Sequence, residues 1–165
     1  AKRQLMKILN PATDASDWIN VDDPVMGGVS KSHTTLDGAV LVFSGEVSLA
    51  NNGGFCSTRT EGRTWHLPAD ISSFALKVRG DGKAYKFTVR TDEDEPGSYR
   101  HDFETRRDEV ATYVFAIEDF EMYRCGRHLT DAPRLDPSTI RSIGVLVSEA
   151  QEGAFELEII AIDAT

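Results

Sequence analysis

The residues able to do acid–base, metal or nucleophilic chemistry are scattered along this chain without the spacings such chemistry requires. The four histidines, His33, His66, His101 and His128, have neither His-x-x-x-His spacing nor a Cys-x-x-Cys partner, so a zinc site would have to be assembled wholly by the fold. Cys56 and Cys125 lie far apart and lack the surroundings of a nucleophilic Cys–His pair. One such pair in a chain of this length is no disulfide framework, and both are expected to be reduced, partly buried thiols. Asp92, Asp94 and Glu95 would offer oxygens to calcium, but the run lacks the ligand order and central glycine of an EF-hand and reads as a solvated acidic turn. No catalytic residue, metal ligand or cofactor is expected.

Recognition groups are denser in three loops. Asp22-Asp23-Pro24-Val25-Met26-Gly27-Gly28-Val29-Ser30 contains a glycine pair, which allows a sharp turn and close approach of another chain or ligand. Asn51-Asn52-Gly53-Gly54-Phe55 sets two side-chain amides beside a second glycine pair, giving donors and acceptors on a tight loop. Arg79-Gly80-Asp81-Gly82-Lys83-Ala84-Tyr85 is the third. The candidate binding set is therefore Asp23, Met26, Gly27, Gly28, Ser30, Asn51, Asn52, Gly53, Gly54, Arg79, Asp81 and Tyr85. For the first two loops an architectural role carries equal weight, with glycines permitting the turns and Asn51, Asn52 and Asp23 capping backbone groups. Trp18, Trp65, Tyr85 and Tyr99 are rings that would stack on a sugar, although packing within a core is the commoner use.

Strands are the elements that must position these loops. Leu41, Phe43, Gly45, Val47 and Leu49 alternate with Ser44, Glu46 and Ser48, the period of a half-buried strand. The same period runs through Phe74, Leu76 and Val78, and through Tyr85, Phe87 and Val89. These two segments are expected to form a hairpin across Gly80-Asp81-Gly82-Lys83. Lys77, Arg79, Lys86, Thr88 and Arg90 would then share a sheet face as a positive patch, or simply a solvated exterior. Further strands are expected over 98–104, 110–117, 143–148 and 155–162, with short helical turns at 15–19 and 118–123 and an N-cap at Asp136-Pro137. Eight or more short strands without alternating helices specify an all-β chain, a jelly-roll-like β-sandwich with short helical turns, rather than a parallel α/β sheet.

The 165 residues fit one domain, 1–165, since a chain of about 150 residues buries roughly 70% of its unfolded surface. With 27 acidic against 18 basic residues the net charge is -9, which repels phosphate backbones and argues against nucleic acid. The basic start, Ala1 to Leu9, lacks the apolar run and cleavage pattern of a signal peptide. No segment approaches the roughly 18 apolar residues of a membrane span. A cytoplasmic protein that is not integral to a membrane is the expectation.

Taken in order, these motifs resemble the complex I intermediate-associated protein 30 family. The likeness is carried by Trp18 with Asp23, Met26, Gly27, Gly28 and Ser30, where Pro24 is a local variation, and by Phe43-Ser44-Gly45 and Asn52-Gly53-Gly54-Phe55. It continues through Gly80-Asp81-Gly82 with Tyr85, then Ile143-Gly144-Val145-Leu146 and Gly153-Ala154-Phe155-Glu156-Leu157, covering about residues 14–162. The resemblance implies a galactose-binding-like β-sandwich, related in shape to carbohydrate-binding modules. It implies a non-enzymatic protein-binding domain whose partners would be respiratory complex subunits, as for mitochondrial members that help to assemble complex I. Without a targeting segment the chain is similar to a compact bacterial member. The contacts expected are Asp23, Met26, Asn51, Asn52, Arg79 and Asp81; carbohydrate is the second candidate ligand.

Overall fold

Wherever apolar side chains recur at every second residue, the chain is extended and one of its faces is buried. A computed structural model describes residues 6–9, 17–22, 31–48, 55–61, 65–91, 97–124, 127–148 and 151–165. Among these, thirteen strands make two antiparallel sheets. In chain order they are β1 (Met6–Leu9), β2 (Trp18–Asn20), β3 (Lys31–Asp37), β4 (Val40–Val47), β5 (Phe55–Thr60), β6 (Ser73–Arg79) and β7 (Ala84–Thr91). They continue with β8 (Gly97–Glu104), β9 (Val110–Ala116), β10 (Glu121–Arg124), β11 (Arg127–Leu129), β12 (Ile140–Ser148) and β13 (Gly153–Ala164). The first sheet runs β3-β4-β13-β6-β9, with β1 also on β13; the second runs β11-β10-β8-β7-β12-β5-β2. This is an all-β sandwich of the jelly-roll kind.

Aromatic rings from both sheets meet in the middle. Phe87 of β7 stacks on Phe115 of β9 with centroids 5.2 Å apart, and Phe74 of β6 lies 5.8 Å from Phe87. Tyr85 of β7 stacks on Phe103 of β8 and meets Phe155 of β13 edge-on. These rings are buried with Leu41, Phe43, Leu76, Val89, Val145 and Ile159 in one cluster. Burying side chains of this size contributes about 1.5–3 kcal/mol each, which is what binds one sheet to the other.

The structure corrects the expected hairpin of β6 and β7. β6 pairs with β9 and β13, whereas β7 pairs with β8 and β12. Residues 80–83 therefore cross from one sheet to the other instead of turning back. The reason lies in their partners: Gly80 N donates to Glu109 O and Asp108 N to Gly80 O, while Thr105 N donates to Lys83 O. Two crossings, 80–83 and 105–109, run side by side and satisfy each other. The shared positive face falls with the hairpin, because Lys77 and Arg79 lie on the first sheet and Lys86, Thr88 and Arg90 on the second.

Two smaller expectations also change. Trp18 to Asn20 is an edge strand on β5 rather than the end of a helical turn. The segment 118–123 divides into a 3-10 turn, Ile117–Asp119, and β10, whose Met122 is buried opposite Tyr99 of β8. The N-cap at Asp136 is present, its carboxylate accepting from Ser138 N at 3.0 Å at the start of a 3-10 turn. No helix among the described residues is long and apolar enough to cross a membrane.

Candidate binding site

The strand ends that carry the three motif loops gather at one end of the sandwich. Asp22 and Lys31 flank the first loop, Val47 and Phe55 the second, Arg79 and Ala84 the third. Their registers fix the clustering: Lys31 lies opposite Glu46, Val47 opposite Gly153, and Phe55 opposite Ser148. Lys83 and Ala84 then reach the β12–β13 connection, where Ala84 N donates to Gln151 Oε1 at 3.1 Å. Asp23, Met26, Gly27, Gly28, Ser30, Asn51, Asn52, Gly53 and Gly54 themselves lie outside the described residues, as do Cys125 and the acidic residues Asp92, Asp94 and Glu95.

Asp81 is the centre of the third loop. Its carboxylate accepts from Lys83 N at 3.0 Å, from the Tyr85 hydroxyl at 2.9 Å and from Glu156 N at 2.8 Å, joining the crossing to both sheets. Gly82 takes a positive φ of 94° and donates its N–H to Thr105 Oγ1, which itself donates to Lys83 O. Gly80 has no room for a side chain, since an added Cβ would stand 2.1 Å from Thr105 Cβ. Burial, followed by the Asp81 charge, raises the Tyr85 phenol far above its ordinary pKa, so it stays protonated as a donor. Arg79 bonds Asp108 O through Nη1 at 3.0 Å and pairs with Glu158 at 3.0 Å. Beside them is a depression of ≈ 680 Å³ lined by Arg79, Asp81, Lys83, Arg107, Glu156 and Glu158 among others. It can recognise a polar ligand by charge and hydrogen bonding.

A polar network absent from the sequence reading ties the bases of the first two loops together. Asp22 accepts from Ser32 N at 2.8 Å, Ser32 Oγ at 2.6 Å and Ser57 N at 3.3 Å. Asn20 donates to Ser32 Oγ and Thr34 Oγ1, Thr34 donates to Thr58 Oγ1, and the Ser57 hydroxyl donates to Val21 O. β2 and β5 belong to one sheet and β3 to the other, so these bonds join the two sheets. The only signal in sequence was the density of Ser, Thr, Asn and Asp around the first motif.

The rings considered for sugar stacking are placed in or against the core. Trp18, Tyr85 and Tyr99 are buried, Tyr99 donating to Pro133 O at 2.8 Å, and Trp65 packs against the same cluster. Tyr123 faces outward instead, stacked on His128 at 5.0 Å with the Arg100 guanidinium 5.0 Å from its ring centroid. Beside this pair lies a second depression, of ≈ 520 Å³, lined by Tyr99, Phe120, Met122, Leu129 and Arg134 among others. His101 packs on Phe115 at 4.7 Å, and Cys56 is buried and unbridged. Among the described residues no group of three or more His, Cys, Asp or Glu side chains is placed to hold a metal ion.

The model of the family described as complex I intermediate-associated protein 30 matches residues 8–159, which takes in nearly every strand of both sheets. The chain belongs to that family. No curated protein sequence matches it significantly. Among solved structures it is similar to the family 11 carbohydrate-binding module of a cellulosomal cellulase of Clostridium thermocellum, at 11% identity over 96% of this chain and 92% of that one, with a TM-score of 0.71. The same family 11 module in complex with a β-1,3-1,4-mixed-linked tetrasaccharide gives 11% identity over 99% and 96% of the two chains and a TM-score of 0.70. An agarase matches at 8% identity and a TM-score of 0.69, over 99% of this chain and 25% of that enzyme. At these identities the likeness is one of fold, and membership of the complex I intermediate-associated protein 30 family rests on the family match.

Proposed function

We propose that this member of the family is a non-enzymatic protein-binding domain that serves the assembly of respiratory complex I. The observation that carries the reading is the family match over residues 8–159, with the clustering of the three motif loops' strand ends at one end of the sandwich as its structural support. In this reading Asp23, Met26, Asn51 and Asn52 contact the partner and Arg79 borders the contact, while Asp81 and Tyr85 hold the third loop in shape. The test is a quantitative pull-down from native host lysate with the wild type and a folded Met26→Ala, Asn51→Ala, Asn52→Ala variant. Enrichment of complex I subunits by the wild type alone supports the assignment. Enrichment of none by either protein counts against it.

A second reading, a carbohydrate-binding module, draws on the depression of ≈ 520 Å³ beside the outward-facing Tyr123, whose ring itself is engaged by His128 and Arg100. It is supported by the shared fold and weakened by the burial of Trp18, Tyr85 and Tyr99. Saturable heat of binding to a neutral oligosaccharide, lost in Tyr123→Ala, would favour it.

A further inference from the structure

The strands that end the two sheets are protected unequally. β2 and β11, at the ends of the second sheet, are three residues each, too short to template a partner. β3 runs for seven residues but carries Lys31, His33 and Asp37, charges of the kind that discourage edge-to-edge pairing. β9, at the other end of the first sheet, also runs for seven residues, Val110–Ala116, and holds no charge and no proline. Val114 is 67% exposed and Val110 39%, so this edge offers apolar side chains to solvent. Among the described residues β6 is the one strand that pairs with it.

The ladder to β6 decides which backbone groups of β9 are left over. In an antiparallel pair every second residue exchanges both of its bonds with the residue opposite. Ile117 N donates to Ser72 O at one end of this ladder, and Gly80 N to Glu109 O at the other. The same phase makes Phe115, Tyr113 and Ala111 the residues bonded to Phe74, Leu76 and Val78. Val110, Thr112 and Val114 therefore turn both N–H and C=O away from β6, along the open edge, and all three residues are exposed.

We propose that β9 pairs antiparallel with β9 of a second copy of this chain, about a two-fold axis at Thr112. The run Val110-Ala111-Thr112-Tyr113-Val114 is self-complementary in that register, since Val110 of each copy meets Val114 of the other and Thr112 meets Thr112. These are the residues with backbone groups to spare, so the opposed pairs exchange about six hydrogen bonds. Charge selects the same direction. Arg106 and Arg107 precede the strand, Glu118 and Asp119 follow it, and all four are exposed. Antiparallel pairing brings the basic end of one copy to the acidic end of the other, with Arg106 at the level of Glu118, whereas a parallel copy would set like charges together. Such a contact uses up both edges and closes, joining the first sheets of the two copies into one. The inference goes beyond the assembly reading and does not depend on it.

One added ladder is a small interface, so a Kd of about 10–100 µM is expected, and sedimentation velocity on the wild type from about 1 µM to about 500 µM brackets it. Thr112→Pro deletes an N–H that the monomer leaves unused, at a position where an edge strand accepts proline, and raises the Kd about tenfold or more. Val114→Lys, at a site already 67% exposed, does the same by setting a charge against Val110 of the other copy. Leu36→Lys, on β3 and 45% exposed in the wild type, leaves the Kd unchanged, and thermal melts of dilute protein show that the variants remain folded. Arg106→Glu and Glu118→Arg each weaken self-association, while a mixture of the two forms the heterodimer. Amide exchange at Val110, Thr112 and Val114 slows in concentrated protein, which reads the register. A monomer throughout the range, a dimer indifferent to Thr112→Pro and Val114→Lys, or one that Leu36→Lys weakens equally overturns the proposal. A mixture of the charge variants that associates no better than either alone overturns the antiparallel register. A monomeric wild type whose capture of complex I subunits is lost with Val114→Lys would assign the edge to a foreign strand, and would equally overturn the pairing of copies.

Discussion

Replacing Asp81 by alanine removes three acceptor contacts at once: Lys83 N, the Tyr85 hydroxyl and Glu156 N, at 3.0, 2.9 and 2.8 Å. Hydrogen bonds to a charged group are each worth about 1.5–3 kcal/mol, and a buried donor left without an acceptor costs about 1–3 kcal/mol. Glu156 is exposed and Lys83 half-buried, so water replaces much of what those two donors lose. The Tyr85 hydroxyl belongs to a buried residue with 2% exposure and supplies most of the penalty. The expected loss is about 4 kcal/mol for Asp81→Ala, or about 10 °C in Tm for a chain of this size. Asp81→Asn keeps one oxygen for Tyr85 and Glu156 and loses about half as much. Urea unfolding followed by fluorescence measures these values, and a double-mutant cycle with Tyr85→Phe isolates a coupling of about 2 kcal/mol. Should Asp81→Ala fall within about 0.5 kcal/mol of wild type, or add independently to Tyr85→Phe, Asp81 does not hold the crossing together.

Gly80→Ala forces a methyl group against Thr105 and should cost about 1–3 kcal/mol in the same urea assay; a neutral result would show that the two crossings are less tightly apposed. Asp22→Ala unties Ser32 from Ser57 and should lose about 2–3 kcal/mol, with hydrogen exchange accelerating first in β2 and β3. Phe87→Ala opens the middle of the ring cluster and should cost about 3–5 kcal/mol. Burial and the Asp81 charge raise the Tyr85 pKa, so the folded state keeps a proton that the unfolded chain releases near pH 10. The stability this contributes is complete below about pH 10 and falls as pH rises above it; urea midpoints measured across that range should show the slope, and Tyr85→Phe should reduce it.

The strands with apolar side chains at alternate positions were legible from sequence, as β4, β6, β7 and β13 show, because each buries one face and the pattern records it. β3 and β5 were not, since Lys31 to Asp37 and Phe55 to Thr60 are built largely from Ser, Thr, Arg and Lys. Their alternation is between buried and half-buried polar groups, as in Thr58 and Thr60 against Ser57 and Arg59. The sheet assignment of β6 and β7 was hidden for another reason. Gly80-Asp81-Gly82 looks like a hairpin turn locally, and only the distant Thr105, Asp108 and Glu109 turn it into a crossing. The motif glycines were visible, and the structure assigns Gly80 and Gly82 a packing and backbone role.

The most direct test of the assembly role is native gel electrophoresis of host membranes with and without this chain, probing complex I and its subassemblies. The account predicts that loss of the chain lowers the mature complex and accumulates subassemblies, and that these are restored by the wild type but not by Met26→Ala, Asn51→Ala, Asn52→Ala. Unchanged levels of mature complex I, with no subassembly accumulating, would contradict it.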